Sequence, residues 1–279
     1  MLTFLCSTYS SPFSQALEVD VSSPLKICSL YSGSKGNCLF VGSERAKILI
    51  DAGKSARTLV AELCGIGESI EDIDAIFITH EHTDHVSALT TLSKYYHIPI
   101  YATVGCARAL DRKYSGLYDC LVPQDAVFSE EIGDIVVSSF RTSHDSACSV
   151  GYKISHSSGF SAGLMTDTGI VTNAAAESLV GCDSVVLEAN HDLDMLKNGP
   201  YPEYLKERVA SRYGHLSNDV SARFAAYLAE RGTGSFLLAH LSEENNLPHL
   251  ALSTVLGSLG GYDCEVRVAE QGRAVYACK

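Results

Sequence analysis

The stretch His80-Glu81-His82-Thr83-Asp84-His85 follows directly on an apolar run at residues 75–79, Ala-Ile-Phe-Ile-Thr. The run predicts a buried β-strand, and the spacing of the later apolar residues predicts a helix over residues 84–96. Neighbouring side chains point to opposite faces of a strand but can converge on the tight turn that leads into a helix. Because histidine and aspartate together favour zinc, iron or manganese over calcium or magnesium, this stretch predicts a metal site.

Three later residues stand where other apolar runs end. His144, Asp167 and His240 each come at the end of a predicted strand. Taken alone, a single histidine after a strand is more often structural than metal-binding. Four side chains on one loop cannot fill the coordination shells of two ions, however, so we expect further ligands to come from these strand ends.

Short β-rich runs with glycine and serine between them alternate with helical patterns along the rest of the chain. Strands are predicted over residues 26–31, 37–41, 47–51, 73–79, 135–141, 149–155, 159–167, 184–190, 235–241, 265–269 and 274–278. Helices are predicted over residues 55–64, 84–96, 173–180, 201–212, 218–231 and 247–259. Two β-rich halves with helices outside them predict an α/β fold, a four-layered αββα sandwich, and the last two strands are predicted to form a hairpin.

The composition is that of a globular protein, with 46% hydrophobic residues, 19% charged residues and a formal net charge of −12. This charge argues against broad, sequence-independent coating of nucleic acid, which depends on many lysine and arginine contacts to phosphates. It does not exclude a nuclease, because bound divalent ions reverse the sign of the field at the site. No apolar run approaches the ~20 residues that span a bilayer, so we expect no membrane segment.

Residues 1–24 are rich in serine and threonine and contain no lysine or arginine. A secretory signal needs a basic start and a longer apolar stretch. We therefore expect a flexible N-terminal extension at residues 1–24 and one domain over residues 25–279. The ten cysteines include no C-x-x-C pair, and we expect buried, reduced thiols in a cytoplasmic protein.

The candidate ligands occur in the order of the ligand motifs of metallo-β-lactamase-fold enzymes, which this chain resembles: His80, His82, Asp84, His85, His144, Asp167 and His240. The resemblance implies two divalent ions, each held by three of these residues: His80, His82 and His144 for the first, and Asp84, His85 and His240 for the second. Asp167 would bridge the two ions. Asp51, at the end of an earlier strand, would support the metal loop by hydrogen bonding without binding metal.

Four further segments narrow the resemblance to the WalJ/YycJ-type bacterial group: residues 32–37, 187–192, 214–218 and 240–246. This similarity extends from about residue 25 to the C-terminus. Members of the group are described as cytoplasmic exonucleases that digest double-stranded DNA from the 5′ end. The resemblance therefore implies a 5′-to-3′ exonuclease with double-stranded DNA as its partner, and it says nothing about residues 1–24 or the oligomeric state.

The implied chemistry is metal-assisted hydrolysis of a phosphodiester. Two ions would lower the pKa of a shared water, and the resulting bridging hydroxide is the expected nucleophile, oriented by Asp84. His215 lies just before the predicted N-cap Ser217 of a helix. It is the candidate acid that protonates the departing 3′ oxygen, although a turn histidine that only packs locally is the alternative.

Candidate substrate contacts lie in two of the resembling segments. The glycine-rich loop holds Ser34, Lys35 and Asn37, and its backbone N–H groups could bind a phosphate, but it could equally be a plain turn. Asn190 and His191 are near the site by resemblance, and structural packing is their alternative. One basic tract lies close to these segments and fits either a solvated helix face or a nucleic-acid track: Lys197, Lys206, Arg208 and Arg212.

Two rival functions use the same residues. A hydrolase of RNA, lactones or thioesters needs the same ligands, but the chain has neither the basic tRNA-gripping arm of a tRNA-processing enzyme nor the helical tail of a glutathione-thioester hydrolase. A catalytically idle regulatory partner is the other rival, and retention of every expected ligand argues against it. The sequence thus favours a metal-dependent phosphodiesterase, and it leaves zinc, manganese and iron open.

Overall fold

Two seven-stranded β-sheets form the centre of the computed structural model, which describes residues 23–117 and 119–277. The predicted extension at residues 1–24 lies almost wholly outside these residues. The first six strands belong to the first sheet: β1 (Lys26–Tyr31), β2 (Cys38–Gly42), β3 (Lys47–Ile50), β4 (Ala75–Phe77), β5 (Ile100–Thr103) and β6 (Leu121–Gln124). From β3 to β6 the neighbouring strands run parallel, so their carboxyl ends lie at one edge.

The next seven strands form the second sheet: β7 (Ser129–Ile132), β8 (Ile135–Arg141), β9 (Val150–His156), β10 (Ser161–Met165), β11 (Ser184–Glu188), β12 (Ser235–Ala239) and β13 (Glu265–Val268). The strands from β7 to β10 pair antiparallel in chain order, whereas those from β10 to β13 pair parallel. Strand β8 therefore points the same way as β10, β11 and β12. Their carboxyl ends meet at one edge of the sheet, which is where polar residues follow each strand.

The predicted hairpin at the C-terminus is wrong. Strand β13 pairs parallel with β12 in the second sheet, whereas the last strand, β14 (Val275–Tyr276), pairs antiparallel with β1 in the first sheet. The turn between them therefore crosses from one sheet to the other. Two short apolar runs close together in sequence resemble a hairpin, but each finds a longer partner strand in a different sheet.

The described part of the chain contains nine α-helices: α1 (Ala56–Gly65), α2 (Thr83–Val86), α3 (Leu89–Tyr96), α4 (Val104–Lys113), α5 (Asn173–Leu179), α6 (Leu193–Asn198), α7 (Glu203–Ala210), α8 (Asn218–Ala229) and α9 (Pro248–Ser258). No helix among these is both long and apolar enough to cross a lipid bilayer.

Three separate apolar clusters show that the molecule has four layers. Leu59 of α1 and Leu110 of α4 pack with Ile76 on the outer face of the first sheet. The next residue, Phe77, points to the opposite face and joins Tyr152 in the cluster between the sheets. A third cluster lies between the second sheet and helices α5, α8 and α9. The predicted αββα sandwich is confirmed.

The single helix predicted over residues 84–96 is interrupted. Helix α2 ends at Val86 and α3 begins at Leu89. Two hydrogen bonds to Ala52 account for the break: Ala52 donates its N–H to the carbonyl of His85 at 2.7 Å, and Ala88 donates to the carbonyl of Ala52 at 2.9 Å. These groups bind a neighbouring loop instead of continuing the helical ladder, and the turn that carries the histidines is fixed in place.

The cysteines in the interior behave as small apolar residues. Cys28, Cys38, Cys106, Cys120 and Cys182 are buried and form no disulfide. Burial raises the pKa of the Cys28 thiol to about 12. A thiol with so high a pKa is protonated and unreactive at neutral pH, so these side chains contribute packing rather than chemistry.

Candidate metal centre

The predicted ligands converge at the edge where both sheets end. Six polar residues stand at or just beyond the carboxyl ends of strands: Asp51 after β3, His80 after β4, His144 after β8, Asp167 after β10, Glu188 at the end of β11 and His240 after β12. Parallel strands bring their carboxyl ends to the same edge. The two-sheet topology therefore gathers residues that are up to 189 positions apart, from Asp51 to His240.

His80, His82 and His144 form the first cluster. One ligand atom from each lies within 4.8 Å of the others, and His80 Nε2 is 3.0 Å from His82 Nδ1. Burial, together with the neighbouring histidines, lowers the pKa of His80 well below its usual value. Burial also lowers the pKa of His144. Both rings are therefore held in the neutral form, which is the form that binds a metal ion.

Asp84, His85 and His240 form the second cluster, again with ligand atoms within 4.8 Å of one another. Asp84 Oδ2 lies 3.4 Å from His85 Nε2 and 3.7 Å from His240 Nε2. This cluster joins the two sheets, because Asp84 and His85 follow β4 and His240 follows β12.

Asp167 lies between the two clusters. Its Oδ2 is 3.4 Å from His85 Nε2, and its Oδ1 is 3.4 Å from His240 Nε2 and 3.9 Å from His144 Nε2. Within the described residues, Asp167 Oδ2 and His240 Nε2 are buried yet form no hydrogen bond. Buried polar atoms normally have a partner, and a metal ion would supply one. The donor set of histidine nitrogens and carboxylate oxygens therefore fits a divalent transition metal.

Three residues of this edge adopt an uncommon backbone conformation. The φ angles of Asp51, Asp167 and His240 are 64°, 54° and 57°. Positive φ is uncommon for residues other than glycine, although aspartate and histidine occur there more often than most. Such conformations cost about 1–3 kcal/mol each and concentrate at functional sites, where the surrounding structure enforces them.

Asp51 supports the histidine turn from behind. Its Oδ1 accepts the N–H of Thr79 at 2.9 Å, and its Oδ2 accepts the Thr79 hydroxyl at 2.8 Å. Oδ2 also lies 2.7 Å from His85 Nδ1. A carboxylate at Nδ1 fixes the tautomer and orientation of His85 and leaves Nε2 directed to the second cluster.

Close backbone packing also fixes this turn. Asn37 donates its N–H to the carbonyl of Asp84 at 2.8 Å. A Cβ atom at Gly53 would lie 1.6 Å from that same carbonyl oxygen. Glycine at residue 53 therefore allows the loop after β3 to contact the candidate metal-binding turn.

Glu188 is a central residue that the sequence analysis did not single out. It is 0% exposed, and its Oε1 lies 2.8 Å from His215 Nδ1 and 3.0 Å from His240 Nδ1. Burial alone would raise its pKa, but the charges and hydrogen bonds of these two histidines outweigh burial and lower it. The carboxylate therefore stays ionised and fixes both rings. An acid at the end of a mainly apolar run, a position that Asp167 also has, was the signal in the sequence.

His215 lies where the two clusters meet. Its ring centroid is 5.1 Å from that of His144 and 5.1 Å from that of His240, and its side chain is 17% exposed. Ser217 caps helix α8, as predicted, by accepting the N–H of Val220 at 3.3 Å. The cap fixes the turn that holds His215 in this position.

In the glycine-rich loop, Asn37 contacts the second cluster, whereas Ser34 and Lys35 do not. Asn37 is buried, and its Nδ2 lies 3.2 Å from His85 Nε2 and 3.4 Å from Asp84 Oδ2. Ser34 and Lys35 are exposed on the rim. The Lys35 ammonium group donates to a carboxylate oxygen of Glu243 at 2.6 Å, which links this loop to the segment after His240.

Asn190 and His191 lie behind the site. Asn190 donates from Nδ2 to the carbonyl of His240 at 2.8 Å, which supports the left-handed backbone there. His191 is buried, and burial lowers its pKa to about 4. Its carbonyl accepts the N–H of Asn218 at the start of α8. In the structure the Asn190 side chain and the His191 backbone support the framework of the site.

The chain is similar to known proteins in both sequence and fold. A β-lactamase superfamily domain matches residues 46–241. Exodeoxyribonuclease WalJ of Streptococcus pneumoniae is 36% identical over 87% of this chain and 91% of that protein. Exodeoxyribonuclease YycJ of Bacillus anthracis is also 36% identical, over 81% of this chain and 86% of that protein.

Among solved structures, the metallo-β-lactamase fold protein YhfI of Bacillus subtilis matches with a TM-score of 0.69 and 18% identity, covering 90% of this chain and 98% of that one. At this identity the match shows the fold, whereas the sequence matches show the family. The chain belongs to the β-lactamase superfamily, in which it is a metallo-β-lactamase-fold hydrolase of the WalJ/YycJ group.

Proposed function

We propose that this protein is a binuclear metal-dependent phosphodiesterase that digests double-stranded DNA from the 5′ end. The observation that carries the proposal is the pair of three-residue clusters that meet at Asp167. Its support from sequence is the 36% identity to two exodeoxyribonucleases over most of the chain. Buried cysteines without disulfides support a cytoplasmic location.

Two divalent ions, of zinc, manganese or iron, would lower the pKa of a water between them and neutralise charge on the phosphodiester. His80, His82 and His144 would hold one ion and Asp84, His85 and His240 the other, with Asp167 shared. Asp84 is the ligand whose carboxylate is most open to solvent, with 25% of its side chain exposed. It is therefore placed to orient the attacking water by accepting its proton in a hydrogen bond.

His215 is the proposed acid for the leaving group. Its Nδ1 donates to Glu188, so Nε2 is the nitrogen that can pass a proton to the departing 3′ oxygen. The ionised Glu188 accepts a hydrogen bond from Nδ1 and so orients the ring for that transfer. A histidine that served only to fill a turn would not require a buried carboxylate at its Nδ1.

The test is digestion of duplex DNA by metal-stripped protein to which manganese or zinc is returned. Duplexes labelled at the 5′ end and duplexes labelled at the 3′ end distinguish the two polarities, and labelled RNA tests the alternative substrate. We expect metal-dependent release of the 5′ label as nucleotides, with progressive shortening of the 3′-labelled strand. Asp84→Ala should abolish it, whereas Asp111→Ala on the exposed face of α4 should not.

Two results would contradict the proposal. Metal-dependent cleavage of RNA alone would replace the substrate and keep the mechanism. An inert phosphodiester beside turnover of a lactone or thioester would reject the nuclease function while leaving the metal centre in place.

A further inference from the structure

The segment between β11 and α8, residues 189–217, forms one wall of the metal centre. Its second half runs along the loop that holds His144. The hydroxyl of Ser143 donates to the carbonyl of Arg212 at 2.8 Å, and His144 Nδ1 donates to the carbonyl of Gly214 at 3.1 Å. Arg208 donates from Nε to Asp145 Oδ2 at 2.7 Å. Three consecutive residues beside the first cluster are thus bound to one short stretch of chain.

Two glycines allow this close approach. A Cβ atom at Gly214 would lie 2.1 Å from the carbonyl oxygen of Val209, and one at Gly169 would lie 2.2 Å from the carbonyl oxygen of Ser211. Both contacts are to backbone, which cannot move aside easily. Helix α7 and the turn after it therefore hold a fixed position beside the metal ligands.

Arg208 places a positive charge at the mouth of the site. A second guanidinium nitrogen, Nη2, also lies 2.6 Å from Asp145 Oδ2. The other oxygen of Asp145 is 3.3 Å from His144 Nε2, the nitrogen that faces the first cluster. One carboxylate therefore separates the guanidinium from the ligand. With 53% of its side chain exposed, Arg208 can offer its remaining donors to a phosphate, for which the planar guanidinium is well suited.

Tyr213 adds an exposed aromatic ring on the same wall. It is 52% exposed and precedes Gly214, whose carbonyl holds His144. The Arg212 guanidinium lies 5.3 Å from the centre of its ring. An aromatic ring next to phosphate-binding cations is the usual arrangement for holding a nucleic-acid strand whose bases are not stacked in a duplex.

Lys206, another basic residue of the tract, is used within the protein. Lys206 donates its ammonium group to the carbonyl of Lys197 at 2.7 Å and so closes the end of α6. The basic tract is therefore not uniform, because Lys206 stabilises the wall while the side chain of Arg208 remains largely exposed.

We propose that Arg208 and Tyr213 bind the nucleic-acid strand next to the bond that is cut, with Arg208 on a phosphate and Tyr213 against an unpaired base. The inference rests on the proposed nuclease function and names the residues that grip its substrate. It also specifies the form of the substrate at this wall, a strand end separated from its complement. Duplexes with a short single-stranded 5′ end should therefore bind more tightly than blunt duplexes.

The experiment compares Arg208→Gln and Tyr213→Leu with two matched controls, Arg231→Gln and Tyr227→Leu, at the C-terminal end of α8. At the C-terminal end of α8, farthest from the site, the Arg231 guanidinium lies over the ring of Tyr227 and pairs with Glu230. That end is about 18 Å from the start of α8 at the site, at 1.5 Å per residue. Arg231→Gln and Tyr227→Leu therefore make the same chemical changes away from the centre.

Metal-loaded protein is assayed for its Kd and KM on blunt and 5′-tailed duplexes, for the salt dependence of Kd, and for hydrolysis of bis(p-nitrophenyl) phosphate, which has no neighbouring phosphate. We expect Arg208→Gln to weaken DNA binding about tenfold and to lower the salt slope by about 1. Its effect on the small diester should be much smaller. Arg208→Lys, which keeps the charge beside Asp145, should bind DNA with intermediate affinity.

We expect Tyr213→Leu to weaken binding of the tailed duplex about tenfold and to remove its advantage over the blunt one. If Arg208→Gln and Tyr213→Leu bind DNA with the same Kd as Arg231→Gln and Tyr227→Leu, the inference is wrong and the nuclease function is unaffected. A wild-type protein that hydrolyses the small diester but neither binds nor cuts nucleic acid would overturn both.

Discussion

The two sheets contribute to the candidate metal centre in different ways. The first sheet supplies four candidate ligands on one turn, within the six residues from His80 to His85. The second sheet supplies single residues from four separate strands: His144, Asp167, Glu188 and His240. The first half of the site is therefore a local feature of the sequence. The second half exists only once β8, β10, β11 and β12 lie side by side.

The same contrast holds for how each half is kept in place. Hydrogen bonds from neighbouring loops hold the histidine turn, chiefly through Asp51 and the backbone around Gly53. In the second half, Asp167 and His240 themselves adopt left-handed backbone conformations at the strand ends, and the buried carboxylate of Glu188 links His240 to His215. The second half should thus be the more sensitive to single changes.

The largest loss of activity is expected for His240→Asn. The change removes a nitrogen of the second cluster and a partner of Glu188, while asparagine still tolerates the left-handed backbone. Activity should fall by more than the about 10–100-fold that follows loss of an outer partner of a metal ligand. Metal-dependent cleavage of labelled DNA and circular dichroism measure the effect on activity and folding.

His97→Asn is the matched control for this prediction. His97 is an exposed residue that ends α3 with a φ of 54°, close to the 57° of His240. The same substitution in the same backbone conformation should leave activity unchanged. Equal activities of the two variants would show that His240 is not part of the working centre.

A smaller loss is expected for Glu188→Gln. Glutamine keeps the shape of the side chain but removes the charge that fixes His215 and His240, so activity should fall about 10–100-fold with folding retained. Steady-state kinetics measure the loss, with Glu177→Gln on the exposed face of α5 as the control. Unchanged kinetics would reduce Glu188 to a packing residue.

The smallest effect is expected for Gly53→Ala, which lies beside the histidine turn of the first sheet and should lower the free energy of unfolding. The added methyl group would clash with the carbonyl of Asp84, and such overpacking costs about 1–3 kcal/mol. Gly65→Ala is the control, because Gly65 ends α1 with no other atom near its Cβ position and should stabilise the helix by about 0.5–1 kcal/mol. Urea denaturation measures both, and a neutral Gly53→Ala would show that the turn yields without strain.

The sequence predicted well those elements that a local pattern determines, in both sheets. The αββα architecture, strand β8 and the start of α5 and α8 were placed correctly. These segments have long apolar runs or clear caps. Residues 97–134 were left without elements, yet they form β5, α4, β6 and β7. Two of these strands, Leu121–Gln124 and Ser129–Ile132, end their sheets and bury few residues, so their apolar pattern is weak.

Features that depend on contacts between residues far apart in sequence were harder to predict, because no local pattern shows them. Glu188 ends an apolar strand as Asp167 does, but its partners, His215 and His240, are 27 and 52 residues away. The final hairpin was wrong because strand pairing depends on which sheet edge is open, and proximity in sequence does not reveal this. The break between α2 and α3 depends on two hydrogen bonds to Ala52, which no local pattern shows.

The most direct test of a single centre shared by both sheets is the number of manganese or zinc ions bound per chain, measured by elemental analysis after removal of excess metal. We expect two ions in the wild-type protein and one in each of His82→Asn and His240→Asn, which remove a ligand from the first and second cluster. His97→Asn should keep both ions. A single ion in the wild-type protein, or two in either cluster variant, would show that the two sheets do not share one binuclear centre.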